Sequence, residues 1–261
     1  FKYAESHTSQ IFFGVALLYG TMFFLMALNI KEGKYPPPEP MGEGRGGMLA
    51  YVRTFFRECF RHRIYRLVFT YNVFFYASNV ITTFTIFLAI SIGLTLDDVG
   101  KIAGTAAVIS TILMYPMGAL VDRLNPIRMM LIAQAGCVLA FSTKMIFLFY
   151  DFPKEIAFWI YAAAVGVAIP MTVANTVATL PMQMRIFPRS RFGQFCSANA
   201  MCGAVGTIVG GMMASGLLDV LRKVTQTENY YYRFIPIWNV AFILLAAIMT
   251  LLILREWRRL G

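Results

Sequence analysis

Polar side chains recur at helical spacing inside two of the most apolar stretches of the sequence. The first stripe consists of Asn72, Tyr76, Asn79 and Thr83, and this spacing puts all four on one face of a helix. The second stripe, which follows Pro170, consists of Thr172, Asn175, Thr176 and Thr179. Such amides and hydroxyls either contact a polar solute in a wet cavity or join helices, and for each threonine joining helices is the more common role. We therefore expect solute contact above all from the three asparagines, and the missing N–H of Pro170 predicts a kink beside the second stripe.

Side chains that catalyse reactions or hold cofactors do not form a recognisable set. All 13 acidic residues fall in loops, at the ends of apolar stretches or in a loop helix, and neither His7 nor His62 lies in such a stretch. The four cysteines have no metal-binding or redox spacing. The sequence therefore predicts no enzyme, no cofactor and no metal site. The apolar stretches likewise contain no acidic residue or histidine that could serve in a proton or sodium relay.

The composition identifies the solvent of these elements as lipid. Of the 261 residues, 58% are hydrophobic and only 14% are charged, whereas soluble domains have about a quarter charged residues. The net charge of +10 does not indicate nucleic-acid binding, because the basic residues lie between apolar stretches. Stretches long enough to cross a membrane as helices lie at residues 11–30, 67–92, 102–121, 127–149, 156–181, 194–218 and 234–254. The sequence thus predicts an all-α membrane protein with seven transmembrane helices.

The distribution of lysine and arginine predicts the orientation. The segments after the first, third, fifth and seventh stretches hold 16 basic residues when Arg128, at the start of the fourth stretch, is counted with them. The opposite side holds 6, and Lys144 lies deeper inside the fourth stretch. Because cytoplasmic loops are enriched in basic residues, we expect the carboxyl terminus in the cytoplasm and the protein in the inner (plasma) membrane.

The chain divides into three parts: residues 1–30 with the first helix, a long loop at residues 31–66, and six closely joined helices at residues 67–261. Within the loop, apolar residues at helical spacing alternate with Arg53, Arg57 and Arg61 over residues 48–63. This pattern predicts an amphipathic basic helix, which either lies on the anionic inner leaflet or packs on the bundle.

The link between the third and fourth stretches carries a recognisable motif. It resembles the cytoplasmic signature of major facilitator superfamily transporters in its first glycine, its Asp-Arg pair and its last basic residue. The matching residues are Gly118, Asp122, Arg123 and Arg128, with Asn125 at the second glycine of the signature, where asparagine tolerates left-handed backbone. The segment 187–193 is similar to the corresponding loop of that family. The resemblance implies that these five residues of the link form a latch that biases the opening of the cytoplasmic side.

The resemblance also implies an architecture and a function. Residues 67–261 would form the carboxyl-terminal six-helix half of a major facilitator fold, the first helix would be the last of the amino-terminal half, and the chain would be a fragment that begins at Phe1 and needs that missing half as its partner. The two polar stripes would lie on helices that line the central cavity. The expected function is secondary active transport such as symport, or facilitated transport, of a small polar solute, with a sugar-like compound favoured. The alternative is a membrane scaffold or assembly factor that kept the fold and lost transport.

The sixth stretch has a different pattern. Gly203, Gly206 and Gly210, followed by a second small pair at Gly211 and Ser215, leave a smooth helical face. Such a face predicts close helix packing without a role in ligand binding.

Overall fold

The computed structural model describes residues 8–29, 48–226 and 229–260, and this part of the chain is helical with short connections. It contains seven helices or near-continuous helical segments that are long and apolar enough to cross a membrane, which confirms the predicted fold class. The chain forms two compact units, Phe1–Ala50 and Tyr51–Gly261. The first unit contains α1 (Thr8–Asn29), whose described side chains are exposed.

The loop helix α2 (Met48–Cys59) begins in the first unit, and from Tyr51 onward it belongs to the second unit. The spans are built by α3 (Arg63–Val80) with α4 (Thr85–Ser91), α5 (Leu96–Arg123), α6 (Pro126–Thr143), α7 (Lys154–Ile186), α8 (Phe192–Thr225) and α9 (Ile235–Leu260). Short 3-10 turns stand at Ile81–Phe84, Lys144–Leu148, Arg189–Arg191 and Tyr230–Phe234.

The helix ends follow from local sequence. A capping box opens α5, because the Thr95 hydroxyl accepts from the Asp98 N–H and the Asp98 carboxylate accepts from the Thr95 N–H. Asn125 caps α6 through its side-chain oxygen, and Pro126 occupies the first helical position. Gln226, with φ of 50°, ends α8 in the left-handed region. The helix α7 runs through both Pro170 and Pro181 without interruption.

The loop helix is shorter than predicted. It ends at Cys59 instead of continuing to residue 63, and His62 is extended, with φ of −90° and ψ of 142°. The chain has to leave the axis of α2 before it can enter the span that begins with α3, and the extended residue provides that change of direction. Its last turn is bound to the bundle: Glu58 pairs with Arg191 at 2.5 Å and accepts a 3.2 Å hydrogen bond from Gln194.

The six spans of the second unit pack in the order α8, α3, α9, α6, α7, α5. Each of the first three spans has a counterpart among the last three: α3 corresponds to α7, α5 to α8 and α6 to α9. Exchanging the counterparts gives the same order of contacts, read from the opposite end. The helices are therefore in contact in the order expected for two three-helix repeats, with α6 and α9 central and α5 and α8 at the two ends of the order.

The contact between α3 and α8 is made by the predicted smooth face. A Cβ atom added at Gly206 would lie 2.5 Å from the Val73 carbonyl oxygen, and one added at Gly210 would lie 2.8 Å from the Ala77 Cα. Only glycine permits backbones to approach this closely. The predicted packing role of this face is thus visible in the structure.

Candidate functional site

The second span is not a continuous α-helix. Between α3 and α4 the chain tightens into the 3-10 turn Ile81–Phe84, directly after the polar stripe of α3. The Thr82 hydroxyl donates to the Asn79 carbonyl at 2.6 Å, and the Thr83 hydroxyl donates to the Val80 carbonyl at 2.9 Å. These bonds help to satisfy backbone groups that the change of helix type disturbs. Irregular backbone inside a membrane is tolerated where it lines a wet cavity or is covered by protein, so this turn is a candidate site.

The first polar stripe divides into a buried and an exposed part. Asn72 is buried and donates across the helix contact to the Asn199 carbonyl of α8 at 2.7 Å. Tyr76 is 44% exposed, and Asn79 and Thr83 are exposed as well. The Asn79 amide donates to the Phe75 carbonyl of its own helix at 2.8 Å, which leaves its side-chain oxygen as an acceptor for a solute.

The second stripe, on α7, is mostly committed to helix packing. The hydroxyls of its threonines donate to carbonyls of their own helix: Thr172 to Ile169 at 2.9 Å, Thr176 to Thr172 at 2.9 Å, and Thr179 to Asn175 at 2.7 Å. Thr176 is exposed, Thr172 and Thr179 are half-buried, and Asn175 is buried. Thr176 is therefore the member of this stripe that a solute could reach in the conformation described.

A buried polar cluster joins three helices and was not predicted from the sequence. The Gln134 amide of α6 donates to the Asn175 side-chain oxygen at 3.5 Å. The Tyr71 hydroxyl of α3 lies beside Asn175, Gln134 and Thr179. Both the Tyr71 hydroxyl and the Gln134 side-chain oxygen are buried without a hydrogen-bond partner in the described part of the chain. An amide inside an apolar stretch was the available signal for Gln134.

The residues of the predicted latch lie at the end of α5, in the link at residues 124–125 and in the first turn of α6. Asp122, Arg123 and Arg128 are exposed, and no ion pair involves them among the described residues. No heavy atom of the described chain lies within 4 Å of a Cβ built on Gly118, so this glycine does not mediate a close helix contact there.

Asn125 differs from the expectation of left-handed backbone, since its φ is −71° and its ψ is 121°. Its side chain accepts from the Ile127 N–H at 3.0 Å, so it works as a helix cap and not as a glycine substitute.

Lys144, the cation inside the fourth span, lies over an aromatic ring. Its Nζ is 5.0 Å from the centroid of the Tyr161 ring of α7. A cation–π contact compensates part of the cost of removing the ammonium group from water.

Comparison with known proteins decides the family. A model described as Major Facilitator Superfamily matches residues 5–184. The chain belongs to the Major Facilitator Superfamily. The matched region includes the 3-10 turn Ile81–Phe84, called the polar turn of the second span below, the link between α5 and α6, and nearly all of α7. No curated protein and no solved structure matches the chain.

Membership in the Major Facilitator Superfamily indicates the general class of function. Members of this superfamily are integral membrane proteins that transport solutes, so the chain is a membrane transporter and not a member of an enzyme family. The described residues contain no group of three or more His, Cys, Asp or Glu side chains that could hold a metal ion.

Proposed function

We propose that this transporter moves a small neutral polar solute, with sugars and similar hydroxylated compounds as the expected class, by alternating access. The observation that carries the proposal is the exposed polar surface beside the interrupted second span, formed by Tyr76, Asn79 and Thr83. An exposed amide at membrane depth is costly in lipid, so it favours a position beside water. Exposed Thr176 supplies a further hydroxyl on a second helix, α7.

Exposed apolar side chains on the two central helices, α6 and α9, support this assignment. Ile132 and Leu139 of α6 are 57% and 72% exposed, and Leu244 and Ile248 of α9 are exposed too. These two helices are central in the packing order, and their free faces fit contact with lipid. The contrast between apolar and polar exposed surfaces is what a bundle with one lipid face and one wet face requires.

The buried amides have a supporting role in the proposal. Asn72 and Asn175 are bound to neighbouring helices in this conformation, and they would reach a solute only if α3 and α7 rearranged. We place them in the wall that orients Tyr76 and Thr179.

Alternating access requires a partner for this six-helix unit. We propose a second six-helix half that rocks against it around a midplane site, as the three-helix repeats of the unit favour. The latch between helices that separate on the cytoplasmic side would lie at and beside the link between α5 and α6, and it would consist of Gly118, Asp122, Arg123, Asn125 and Arg128. The ionic groups of this link then find their partners outside the described residues.

The positions of the acidic residues leave two modes of transport open. The described acidic residues lie in α2, in connections or near helix ends, so facilitated transport, or symport driven by a carboxylate of the other half, are the two forms of the proposal.

The experiment is uptake of labelled hexoses and polyols into liposomes that contain the purified full-length transporter. We expect Asn79→Ala combined with Thr83→Ala to lower uptake about tenfold or more, since each lost hydrogen bond costs on the order of 1 kcal/mol. The matched control is Thr143→Ala on α6, which removes an exposed hydroxyl that also bonds to its own helix, at 2.6 Å to Ala140.

Equal uptake by the double variant and the control would exclude the proposed surface as the solute site. A properly folded protein that transports none of these solutes, and no other small polar solute tested, would favour the scaffold alternative.

A further inference from the structure

Four arginines surround a pocket at the end of the bundle where α3 begins and α9 ends. The pocket has a volume of about 440 Å³. It is lined by Arg63, Leu252, Arg255, Glu256, Arg258 and Arg259. Neither the polar turn of the second span nor the link between α5 and α6 contributes to it, so it is separate from the proposed solute site.

The charges in this pocket are unbalanced. Among the described residues, Glu256 is the only carboxylate that lines the pocket, and its Oε2 lies 4.0 Å from an Arg63 nitrogen and 3.8 Å from an Arg259 nitrogen. Its side chain is 20% exposed, while those of Arg63 and Arg259 are more than half exposed. One carboxylate cannot neutralise four guanidinium groups, so the pocket favours an anion. Guanidinium groups bind phosphate through paired hydrogen bonds.

An exposed apolar stripe leads along α9 into the pocket. Leu244, Ile248 and Leu251 are exposed at spacings of four and three residues, and Arg255 follows four residues later on the same face. Leu252 lines the pocket beside Arg255. A ligand that fits the pocket and this stripe together has an anionic head and long hydrocarbon chains.

We propose that this pocket binds the headgroup of an anionic glycerophospholipid, whose acyl chains lie along the exposed stripe of α9. Basic pockets between helices at the cytoplasmic side of membrane proteins are suited to anionic headgroups. The site requires no solute and no transport, so it stands independently of the proposed function. The lipid would connect the end of α9 to the start of α3, the helix that precedes the polar turn.

The test is native mass spectrometry of the purified full chain, released from detergent in the presence of phosphatidylglycerol or phosphatidylcholine. We expect bound phosphatidylglycerol to exceed phosphatidylcholine about tenfold, and Arg255→Gln combined with Arg258→Gln to lower its retention by about tenfold or more. The matched control is Arg222→Gln combined with Lys223→Gln, which changes two exposed basic residues in the last turn of α8, outside the pocket lining.

Three results would overturn the proposal: equal retention of the two lipids, equal losses in the two double variants, or displacement of phosphatidylglycerol by millimolar inorganic phosphate. The last result would identify a site for a soluble anion. Glu256→Gln provides a further check, because removing this carboxylate from the lining should increase phosphatidylglycerol retention. A decrease would contradict the electrostatic basis of the site.

Discussion

The close approach of α3 and α8 requires that Gly206 has no Cβ atom. In Gly206→Ala the new methyl carbon would lie 2.5 Å from the Val73 carbonyl oxygen and 2.9 Å from the Val73 Cα. Both are backbone atoms, which cannot turn aside as a side chain can. The two helices must separate by roughly 0.5 to 1 Å to reach an ordinary contact, and overpacking of this kind costs about 1–3 kcal/mol.

The separation also affects a hydrogen bond nearby. Asn72 of α3 donates to the Asn199 carbonyl of α8 at 2.7 Å, about two helical turns from Gly206 in sequence, and stretching it leaves a buried amide poorly satisfied. This adds about 1 kcal/mol. We therefore expect Gly206→Ala to lower the free energy of unfolding by about 2–4 kcal/mol.

The matched control is Gly216→Ala in the same helix, where no neighbouring atom lies within 4 Å of the added carbon. Its stability should stay within about 1 kcal/mol of the unchanged protein, because only helix propensity changes. The assay is unfolding of both purified variants in mixed micelles, followed by circular dichroism. Equal stability of the two variants would refute the account of this interface.

Three other perturbations test the remaining contacts. Arg233 donates to two backbone carbonyls and pairs with Asp151 at 2.5 Å, and its side chain is only 11% exposed while that of Asp151 is 81% exposed. In the same unfolding assay, Arg233→Met should therefore cost about 2–4 kcal/mol of unfolding free energy and Asp151→Asn less than about 1 kcal/mol. Equal losses in the two variants would contradict this. The hydrogen bond that Arg191 donates to Glu58, together with the one from Gln194, lowers the pKa of the Glu58 carboxyl below its ordinary value. Docking of α2 should therefore be stable at neutral pH and weaken as the pH falls through the lowered pKa, seen as a drop in melting temperature that Glu58→Gln lacks. Asn125→Ala should cost about 1 kcal/mol of unfolding free energy through the lost cap of α6, and an unchanged stability would remove that role.

The spans were predictable because their signal is local. Twenty apolar residues between turn formers indicate a membrane helix whatever its neighbours are. Their ends were less so: α7 continues to Ile186, past the apolar stretch that ends at residue 181, because a helix can extend beyond the hydrocarbon layer with polar residues such as Gln183 and Arg185.

The site was predictable only in part. Spacing shows that Asn72 and Asn79 share a face of one helix, but the neighbouring helix decides that Asn72 is buried and Asn79 is exposed. The turn Ile81–Phe84 contains no proline or glycine, so no local signal marks it. Gln134 was missed because its partner, Asn175, is 41 residues away in the chain.

The accessibility of the interrupted second span to water tests the central claim most directly. Single cysteines at Asn79, Thr83 and Leu139 would be treated in membranes with a charged, membrane-impermeant maleimide, with the labelling of the four native cysteines subtracted. Leu139 is 72% exposed on α6, so it controls for exposure to lipid. The account predicts fast labelling at Asn79→Cys and Thr83→Cys and slow labelling at Leu139→Cys, and equally slow labelling at all three positions would contradict it.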